Sequence, residues 1–235
     1  MQVLRGRGSS PRRDHDHTAR LLADAADGTS GVRVWTPPRQ VAFGRRDTRE
    51  PGYDRARRVA ETAGFPPIAR DVGGRAVAYS GDTLAFALAV PTRDLRGSID
   101  GRYATVTRAV RSALEGVGAD VSAGEPHGSF CPGERSLRVV DGGKLAGIAQ
   151  RVRADAALVA GCLVVSRNDA AELAAVLEGV YDALDVPFDP DSVGSVAAAG
   201  GSNDAGRIAR AVENALSDAG DDGSWRIERV GPESR

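Results

Sequence analysis

One stretch of the sequence constrains the fold more than any other, because residues 136 to 165 read as three strands in immediate succession. Its apolar segments are SLRVV, KLAGIAQRV and ALVAGCLVV, and only short turn-forming segments lie between them. Strands joined by such short turns run antiparallel, since a parallel neighbour would need a long crossover connection. This part of the chain therefore predicts an antiparallel meander.

Segments with helical periodicity lie on both sides of the meander. The segment GRYATVTRAVRSALEGVG places apolar residues at helical spacing and ends in glycine, and DHTARLLADAADG, PGYDRARRVAETAG, DAAELAAVLEGVYDAL and AGRIARAVENALSDAG show the same periodicity. Further strands are predicted at VRVW and QVAFG, and RAVAY and TLAFALAV are predicted to form a hairpin through the turn SGD. This order predicts an α+β fold with a mixed, largely antiparallel sheet flanked by helices.

The length of 235 residues allows one large domain. The first dozen residues are polar and rich in arginine, so residues 1–13 are predicted to be a disordered basic arm. Residues 14–235 are then expected to form a single catalytic domain. The pattern of the final segment, GDDGSWRIERVGPESR, is compatible with either a last strand or a tail.

Composition excludes several classes of function. The net charge of -1 gives no overall field that would attract nucleic acid or an anionic membrane surface. No apolar run is long enough to span a membrane, and the N-terminus lacks the apolar core of a signal peptide, so a cytoplasmic protein is expected. His15 and His17 have no third ligand nearby in the sequence, and we predict no metal site.

The chemistry concentrates around one cysteine and one lysine. Lys144 is the only lysine among 31 basic residues, and Cys131 precedes the turn-forming pair Pro132-Gly133. The meander would bring both residues to the same end of the sheet. An ammonium near a thiol favours the thiolate, which attacks acyl carbons, and it can also stabilise the oxyanion that results. Cys162 lies within an apolar strand and is predicted to fill the core.

The chain is similar to the lipoate-protein ligase and octanoyltransferase family. The similarity is carried by GRRDTREP (44–51), RDVGGRAVAYSGDTLAFAL (70–88), SFCPG (129–133) and GGKLAGIAQRV (142–152), within residues 17 to 200. It most resembles the family's octanoyltransferases that take the acyl group from the glycine cleavage H protein. The resemblance implies the catalytic domain fold of class II biotin and lipoate ligases.

The resemblance assigns roles to individual positions. It implies that Cys131 forms an acyl thioester and that Lys144 lies by the acyl carbonyl and lowers the pKa of the cysteine. It further implies that two walls enclose the acyl chain, with Arg70, Gly73, Gly74 and Val77 in one and Gly147, Ile148, Ala149 and Gln150 in the other. A glycine inside an apolar strand, as at position 147, independently indicates close approach by another group.

The resemblance also implies the partners. The glycine cleavage H protein would donate an octanoyl or lipoyl group, and lipoyl domains of 2-oxoacid dehydrogenase E2 subunits would accept it, with no cofactor consumed. The arginine-rich stretch from Arg45 to Arg58 is a candidate docking surface for these domains. Two features depart from the family: Tyr79 stands where many ATP-dependent ligases have histidine, and the turn before Lys144 is one residue longer than usual.

Three alternatives stay open at this point. The chain could be an ATP-dependent lipoate-protein ligase in which Cys131 is incidental, although the C-terminal segment leaves little length for the accessory domain of many ligases. A second octanoyltransferase branch carries its cysteine about three residues earlier, where this chain has Gly128, which favours the first branch. A non-catalytic binder of lipoyl domains or nucleic acid is the third alternative, and His127 is a candidate general base in the enzymatic ones.

Overall fold

The computed structural model describes residues 1–70, 74–92, 99–220 and 224–231. In chain order its elements are β1 (Gln2–Arg5), α1 (Pro11–Ala26), β2 (Gly31–Trp35), β3 (Gln40–Phe43), a 3-10 turn (Asp47–Arg49), α2 (Tyr53–Thr62), β4 (Pro67–Ala69), β5 (Val77–Tyr79), β6 (Leu84–Pro91), α3 (Ile99–Gly116), β7 (Val121–Ala123), β8 (Ser136–Val139), β9 (Lys144–Val152), β10 (Ala156–Leu163), α4 (Arg167–Ala183), a second 3-10 turn (Pro190–Ser192), α5 (Ala205–Gly220) and β11 (Arg226–Arg229).

Two sheets organise the molecule. The larger sheet has the strand order β11-β1-β2-β6-β10-β9-β8-β7, and the smaller has the order β4-β3-β5. In the larger sheet β11, β1 and β2 pair in parallel, and the neighbours from β2 to β7 pair antiparallel. The predicted meander is β8, β9 and β10. The predicted α+β class with a mixed, largely antiparallel sheet is confirmed.

The first residues correct a prediction. Residues 1–13 were expected to be a disordered arm, but β1 lies inside the larger sheet, where Val3 and Leu4 are fully buried. Pro11, the first residue of α1, follows the capping residue Ser10, whose side chain accepts a hydrogen bond from the amide of Arg13. The final segment also pairs, as β11, so the open question between strand and tail is answered for residues 226–229.

The predicted hairpin between RAVAY and TLAFALAV is wrong. β5 pairs with β3 in the smaller sheet, whereas β6 pairs with β2 and β10 in the larger one. The chain changes sheets at the SGD turn because the hydroxyls of Ser80 and Thr83 both donate to the Asp169 carboxylate of α4, at 2.6 and 2.7 Å. The two strands therefore lie on opposite sides of the space between the sheets.

Helices cover the outer faces and leave a gap between the sheets. Helices α3 and α5 pack against the larger sheet around residues such as Phe86 and Leu114. Helices α2 and α4 pack on the smaller sheet around residues such as Phe43 and Tyr181. The loop carrying Cys131 contributes Phe130 to this second cluster. The loop is thereby fixed to the packed core on the side of the smaller sheet.

Candidate active site

A cavity of about 140 Å³ lies between the two sheets and brings most of the predicted site residues together. Its lining includes Arg70, Val77, Cys131, Lys144, Gly147, Ile148 and Ala149. Gly73 lies outside the described residues. Gln150 is not part of the lining: its side chain bonds Arg102 Nε at 2.5 Å and the Ile99 carbonyl at 3.2 Å, on α3. The resemblance placed Gln150 in the wall, but its side chain is held against α3 by these contacts.

Cys131 occupies an unusual backbone conformation at the edge of this cavity. Its φ is +42°, in the left-handed region that favours glycine. Such a conformation costs about 1–3 kcal/mol and persists where surrounding contacts determine it. Two contacts do so here: the amide of Cys131 donates to the Tyr181 hydroxyl at 2.5 Å, and its carbonyl accepts from Lys144 Nζ at 3.0 Å.

Lys144 is buried, with 1% of its side chain exposed, and its ammonium is fully engaged. Nζ lies 2.9 Å from a Glu125 carboxylate oxygen and 3.0 Å from the carbonyls of both Phe130 and Cys131. An ammonium has three donors that point in different directions, whereas the donors of a guanidinium lie in one plane. Three acceptors around one buried point explain why this position carries lysine in a chain whose other basic residues are arginine.

Glu125 is a site residue that sequence reasoning missed. Its carboxylate neutralises the Lys144 ammonium, and it also accepts a hydrogen bond from the Ser129 hydroxyl. A carboxylate six residues before the cysteine was visible in the segment GEPHGSFC, although no periodicity marked it. His127, in the same segment, is exposed.

Two glycines position the lysine at the start of β9. A Cβ on Gly143 would lie 2.6 Å from the Gly194 amide nitrogen, so only glycine allows the two backbones to approach this closely. The Gly194 amide donates to the Lys144 carbonyl at 2.8 Å. A Cβ on Gly147 would lie 3.2 Å from Lys144 Cε, so this glycine leaves room for the lysine side chain.

The predicted wall that contains Arg70 and Gly74, called here the glycine wall, lies directly against the Cys131 thiol. Gly74 has a φ of +94°, and a Cβ there would lie 2.7 Å from Cys131 Sγ. Arg70 Nη2 lies 3.5 Å from the same sulfur and donates to the Arg75 carbonyl at 2.8 Å. Burial by itself lowers the pKa of Arg70, but the neighbouring Cys131 sulfur offsets this and the pKa is raised, so the guanidinium stays charged.

Cys162 and Tyr79 also line the cavity. Cys162 is 5% exposed and lies opposite Gly147 in the pairing of β10 with β9, so it is buried as expected of a core residue. Burial raises the pKa of its thiol, which disfavours the reactive thiolate. Enclosure likewise raises the pKa of Tyr79, so its hydroxyl keeps its proton at neutral pH.

A second apolar cavity of about 150 Å³ adjoins the first. The two share lining residues, namely Trp35, Arg70, Tyr79, Arg151, Leu158 and Ala160. The buried pair Asp14 and Arg33 holds Trp35 at this shared wall: Asp14 accepts from Trp35 Nε1 at 3.0 Å, and Arg33 lies 4.0 Å from the centre of the indole ring. Helix α1 covers the far side of the second cavity.

The arginine-rich stretch from Arg45 to Arg58 forms an exposed surface beside the glycine wall. Its arginines at 45, 46, 49, 55, 57 and 58 are exposed. A Cβ on Gly44 would lie 2.1 Å from the Gly74 carbonyl oxygen, so the start of this stretch lies against the segment that faces Cys131. The beginning of this surface, at Arg45, therefore lies close to the glycine segment that faces the thiol.

Among residues 1–70, 74–92, 99–220 and 224–231, no group of three or more His, Cys, Asp or Glu side chains could hold a metal ion. Across the same ranges, no helix has the length and apolar character needed to cross a bilayer.

The chain matches one protein family and is similar in sequence to curated acyltransferases. The family described as lipoyl protein ligase A/B catalytic domain matches residues 11–201. An octanoyl-[GcvH]:protein N-octanoyltransferase of Exiguobacterium sp. is 34% identical over 131 residues, which cover 56% of this chain and 46% of that protein. A lipoyl-[GcvH]:protein N-lipoyltransferase of Listeria monocytogenes is 28% identical over 136 residues, covering 58% and 49%. The chain thus spans about half the length of these curated relatives.

Solved structures show the same fold. A lipoate-protein ligase A bound with ATP superposes with a TM-score of 0.75 at 18% identity, covering 97% of this chain and 88% of that one. A bi-partite lipoate protein ligase from Thermoplasma acidophilum gives a TM-score of 0.64 at 19% identity, covering 97% and 86%. These superpositions establish the shared fold. At identities this low they do not establish the reaction, which is argued from the site.

Proposed function

Because the chain belongs to the lipoyl protein ligase A/B catalytic domain family, we propose that it is an acyltransferase acting through a thioester on Cys131. It moves an octanoyl or lipoyl group between lysines of protein lipoyl domains. The observation that carries the proposal is the placement of the Cys131 thiol in the cavity, on a loop held at both backbone groups. A thiol fixed at the opening of an apolar cavity is suited to take an acyl group whose chain lies inside.

The first half of the reaction transfers the acyl group to the enzyme. The Cys131 thiolate attacks the carbonyl carbon of the acylated donor lysine, a C–S bond forms and the amide C–N bond breaks. The proton released by the thiol ends on the departing donor amine. Arg70 lies beside the sulfur and supplies cationic N–H donors for the oxyanion, while Lys144 holds the carbonyls of the loop.

The second half returns the enzyme to its starting state. The amine of an acceptor lysine attacks the thioester carbon, a C–N bond forms and the C–S bond breaks. The amine loses one proton and the sulfur regains one. One amide is exchanged for another, so the proposed cycle needs neither ATP nor another cofactor.

The two adjoining cavities accommodate the acyl chain in this proposal. An apolar cavity of about 150 Å³ holds a molecule the size of benzene. The first cavity, of about 140 Å³, is suited to the chain next to the carbonyl, and the second, of about 150 Å³, to its distal end. Trp35 and Tyr79 line both cavities and lie between the two parts of the chain.

We propose the glycine cleavage H protein as donor and E2 lipoyl domains as acceptors. The names of the relatives, which specify GcvH, support the donor. The exposed arginines from Arg45 to Arg58 begin close to the glycine segment that faces the thiol and would attract acidic domains that present a lysine. The cytoplasmic location expected from the sequence stays a prediction.

The proposal is tested by intact-protein mass after mixing the enzyme with octanoylated H protein in the absence of ATP. Wild type is expected to gain one octanoyl group that hydroxylamine removes, and Cys131→Ala is expected to gain none. Cys162→Ala serves as the matched control, since it removes a second thiol lining the same cavity, and it should behave as wild type.

One result would replace the proposal with the competing activity. If wild type gained no mass, and both wild type and Cys131→Ala lipoylated an acceptor domain once ATP and free lipoate were added, the protein would be an ATP-dependent ligase. A gain of mass in Cys131→Ala would place the acyl group elsewhere and would also contradict the proposal.

A further inference from the structure

Tyr181 connects the loop of Cys131 to the glycine wall across the cavity. This tyrosine lies on α4, fifty residues after the cysteine, and is fully buried. Its hydroxyl lies 2.5 Å from the Cys131 amide nitrogen and 3.0 Å from the Ala76 carbonyl oxygen. Ala76 directly precedes β5 and lies two residues after Gly74, so one hydroxyl bridges the two segments that face each other at the thiol.

The direction of both hydrogen bonds is fixed by chemistry. A backbone amide can only donate and a carbonyl can only accept, so the hydroxyl accepts from Cys131 and donates to Ala76. Burial raises the pKa of Tyr181 well above its ordinary value, and the hydroxyl therefore keeps the proton that the second bond requires. The ring packs against Phe188 with centroids 5.0 Å apart, which fixes where the hydroxyl lies.

The backbone conformation of Cys131 needs such a contact. Two other non-glycine residues in the described part of the chain have positive φ, Asp141 in a turn and Asp185 after α4, and aspartate tolerates this region better than cysteine. We infer that Tyr181 is a positioning residue that holds Cys131 in its left-handed conformation and thereby sets the place of the sulfur relative to Gly74. The inference rests on the proposed function of Cys131 as the acylated residue.

The test compares wild type, Tyr181→Phe and Tyr53→Phe. Tyr53 packs on the same core cluster but its ring contacts Phe43, so this variant removes a hydroxyl without touching the cysteine loop. Single-turnover thioester formation is measured against the concentration of octanoylated H protein. Tyr181→Phe is expected to lower the limiting rate at least tenfold and leave the half-saturating donor concentration unchanged, whereas Tyr53→Phe should match wild type. Purely structural damage would reduce the amount of active enzyme but would not slow the reaction of the molecules that remain folded.

A second measurement keeps the inference testable if Tyr181→Phe does not fold. In wild type, the Cys131 amide hydrogen should be protected from exchange with deuterated solvent at least a hundredfold relative to an unstructured peptide. Unprotected exchange would overturn the inference, as would a Tyr181→Phe enzyme with the wild-type rate.

The measurements distinguish failure of the proposed function of Cys131 from failure of the positioning role of Tyr181. If wild type forms no thioester while the Cys131 amide is protected and Tyr181→Phe loses that protection, the proposed function is wrong and the positioning contact stands. If wild type forms the thioester and Tyr181→Phe forms it equally fast, the function stands and the inference is wrong.

Discussion

The two cysteines line the same cavity but differ in almost every property that decides reactivity. Cys131 lies on a loop with a φ of +42°, beside the Arg70 guanidinium, and its sulfur faces a glycine. Cys162 lies within β10 between paired strands, where burial raises its pKa. The reactivity proposed for Cys131 therefore rests on its backbone conformation and its neighbours, since both side chains are chemically identical and share one cavity.

Removing each thiol in turn is expected to give the largest difference between the two cysteines. Cys131→Ala is expected to abolish thioester formation and acyl transfer, because no other nucleophile replaces it in the mechanism. Cys162→Ala should retain activity within about threefold, since a small residue is replaced by another small one. Iodoacetamide should accordingly label Cys131 first in native protein at pH 7, as read by peptide mass. Faster labelling of Cys162 would contradict the comparison.

Lys144→Met tests what the buried ammonium contributes to the stability of the protein and to the reaction of Cys131. It leaves Glu125 and two loop carbonyls without their cation. Breaking a buried ion pair typically lowers the free energy of unfolding by about 3–5 kcal/mol. Because Lys144 holds the carbonyls of the cysteine loop, its loss should displace the sulfur, and a displacement of about 1 Å can lower the rate of single-turnover thioester formation by up to about 100-fold.

Lys144→Arg is the matched variant, because it keeps the charge and changes only the geometry of the donors. It should also lose more than about tenfold, since a planar guanidinium does not replace a three-directional ammonium. Wild-type rates with arginine would show that charge alone matters at this position. Denaturant unfolding of both variants separates the loss of stability from the loss of rate.

Gly74→Ala tests how much open space the reactive thiol needs. The added Cβ would meet Cys131 Sγ at 2.7 Å in a backbone conformation already unfavourable for alanine. Displacement of the sulfur by about 1 Å can reduce the rate by up to about 100-fold. Gly81→Ala is the control, because Gly81 also has a positive φ, +104°, but has open space around its Cβ position. Equal rates in the two variants, measured by single turnover, would mean that strain and not contact with the sulfur matters.

The smallest expected effect concerns the surface beside the thiol. Replacing Arg45 and Arg46 by glutamate should raise KM for the acceptor domain by about tenfold at low salt, because charge complementarity mainly affects encounter. The limiting rate should not change. Arg226→Glu, on the exposed edge strand β11, is the control. An unchanged KM in the double variant, at both low and high salt, would remove this surface from the docking proposal.

Local patterns predicted the parts of the fold that depend on neighbours in sequence. The meander and the helices follow from periodicity and turn residues, and they lie close to their predicted bounds except α1, which begins at Pro11, within the predicted arm. Pairing over longer distances was harder to predict. The hairpin at SGD was wrong because Asp169, almost ninety residues further on, directs the turn between two sheets. The four residues of β1 resemble a polar arm until the sheet that buries them is known.

In the candidate site, too, local sequence patterns identified some residues and missed those whose position depends on the tertiary fold. Cys131 and Lys144 were predicted to lie together, and Lys144 Nζ does contact the Cys131 carbonyl. The loop before β8 makes this contact, since Cys131 lies outside the paired residues of the β8–β9 hairpin. Glu125 was not identified, because a single carboxylate in a loop has no periodic signal. Tyr181 could not be identified at all, since its role depends on how α4 packs fifty residues after the cysteine.

The position of β1 also affects how the protein is made. β1 lies between β2 and β11, and the side chains of Gln2 and Glu228, 226 residues apart in sequence, form a hydrogen bond. At a synthesis rate of about 5–20 residues per second, the first strand waits roughly 10–45 s for its second neighbour. During that time one edge of β1 is unpaired and able to join another chain, so the nascent protein can misassemble through this edge until β11 has left the ribosome.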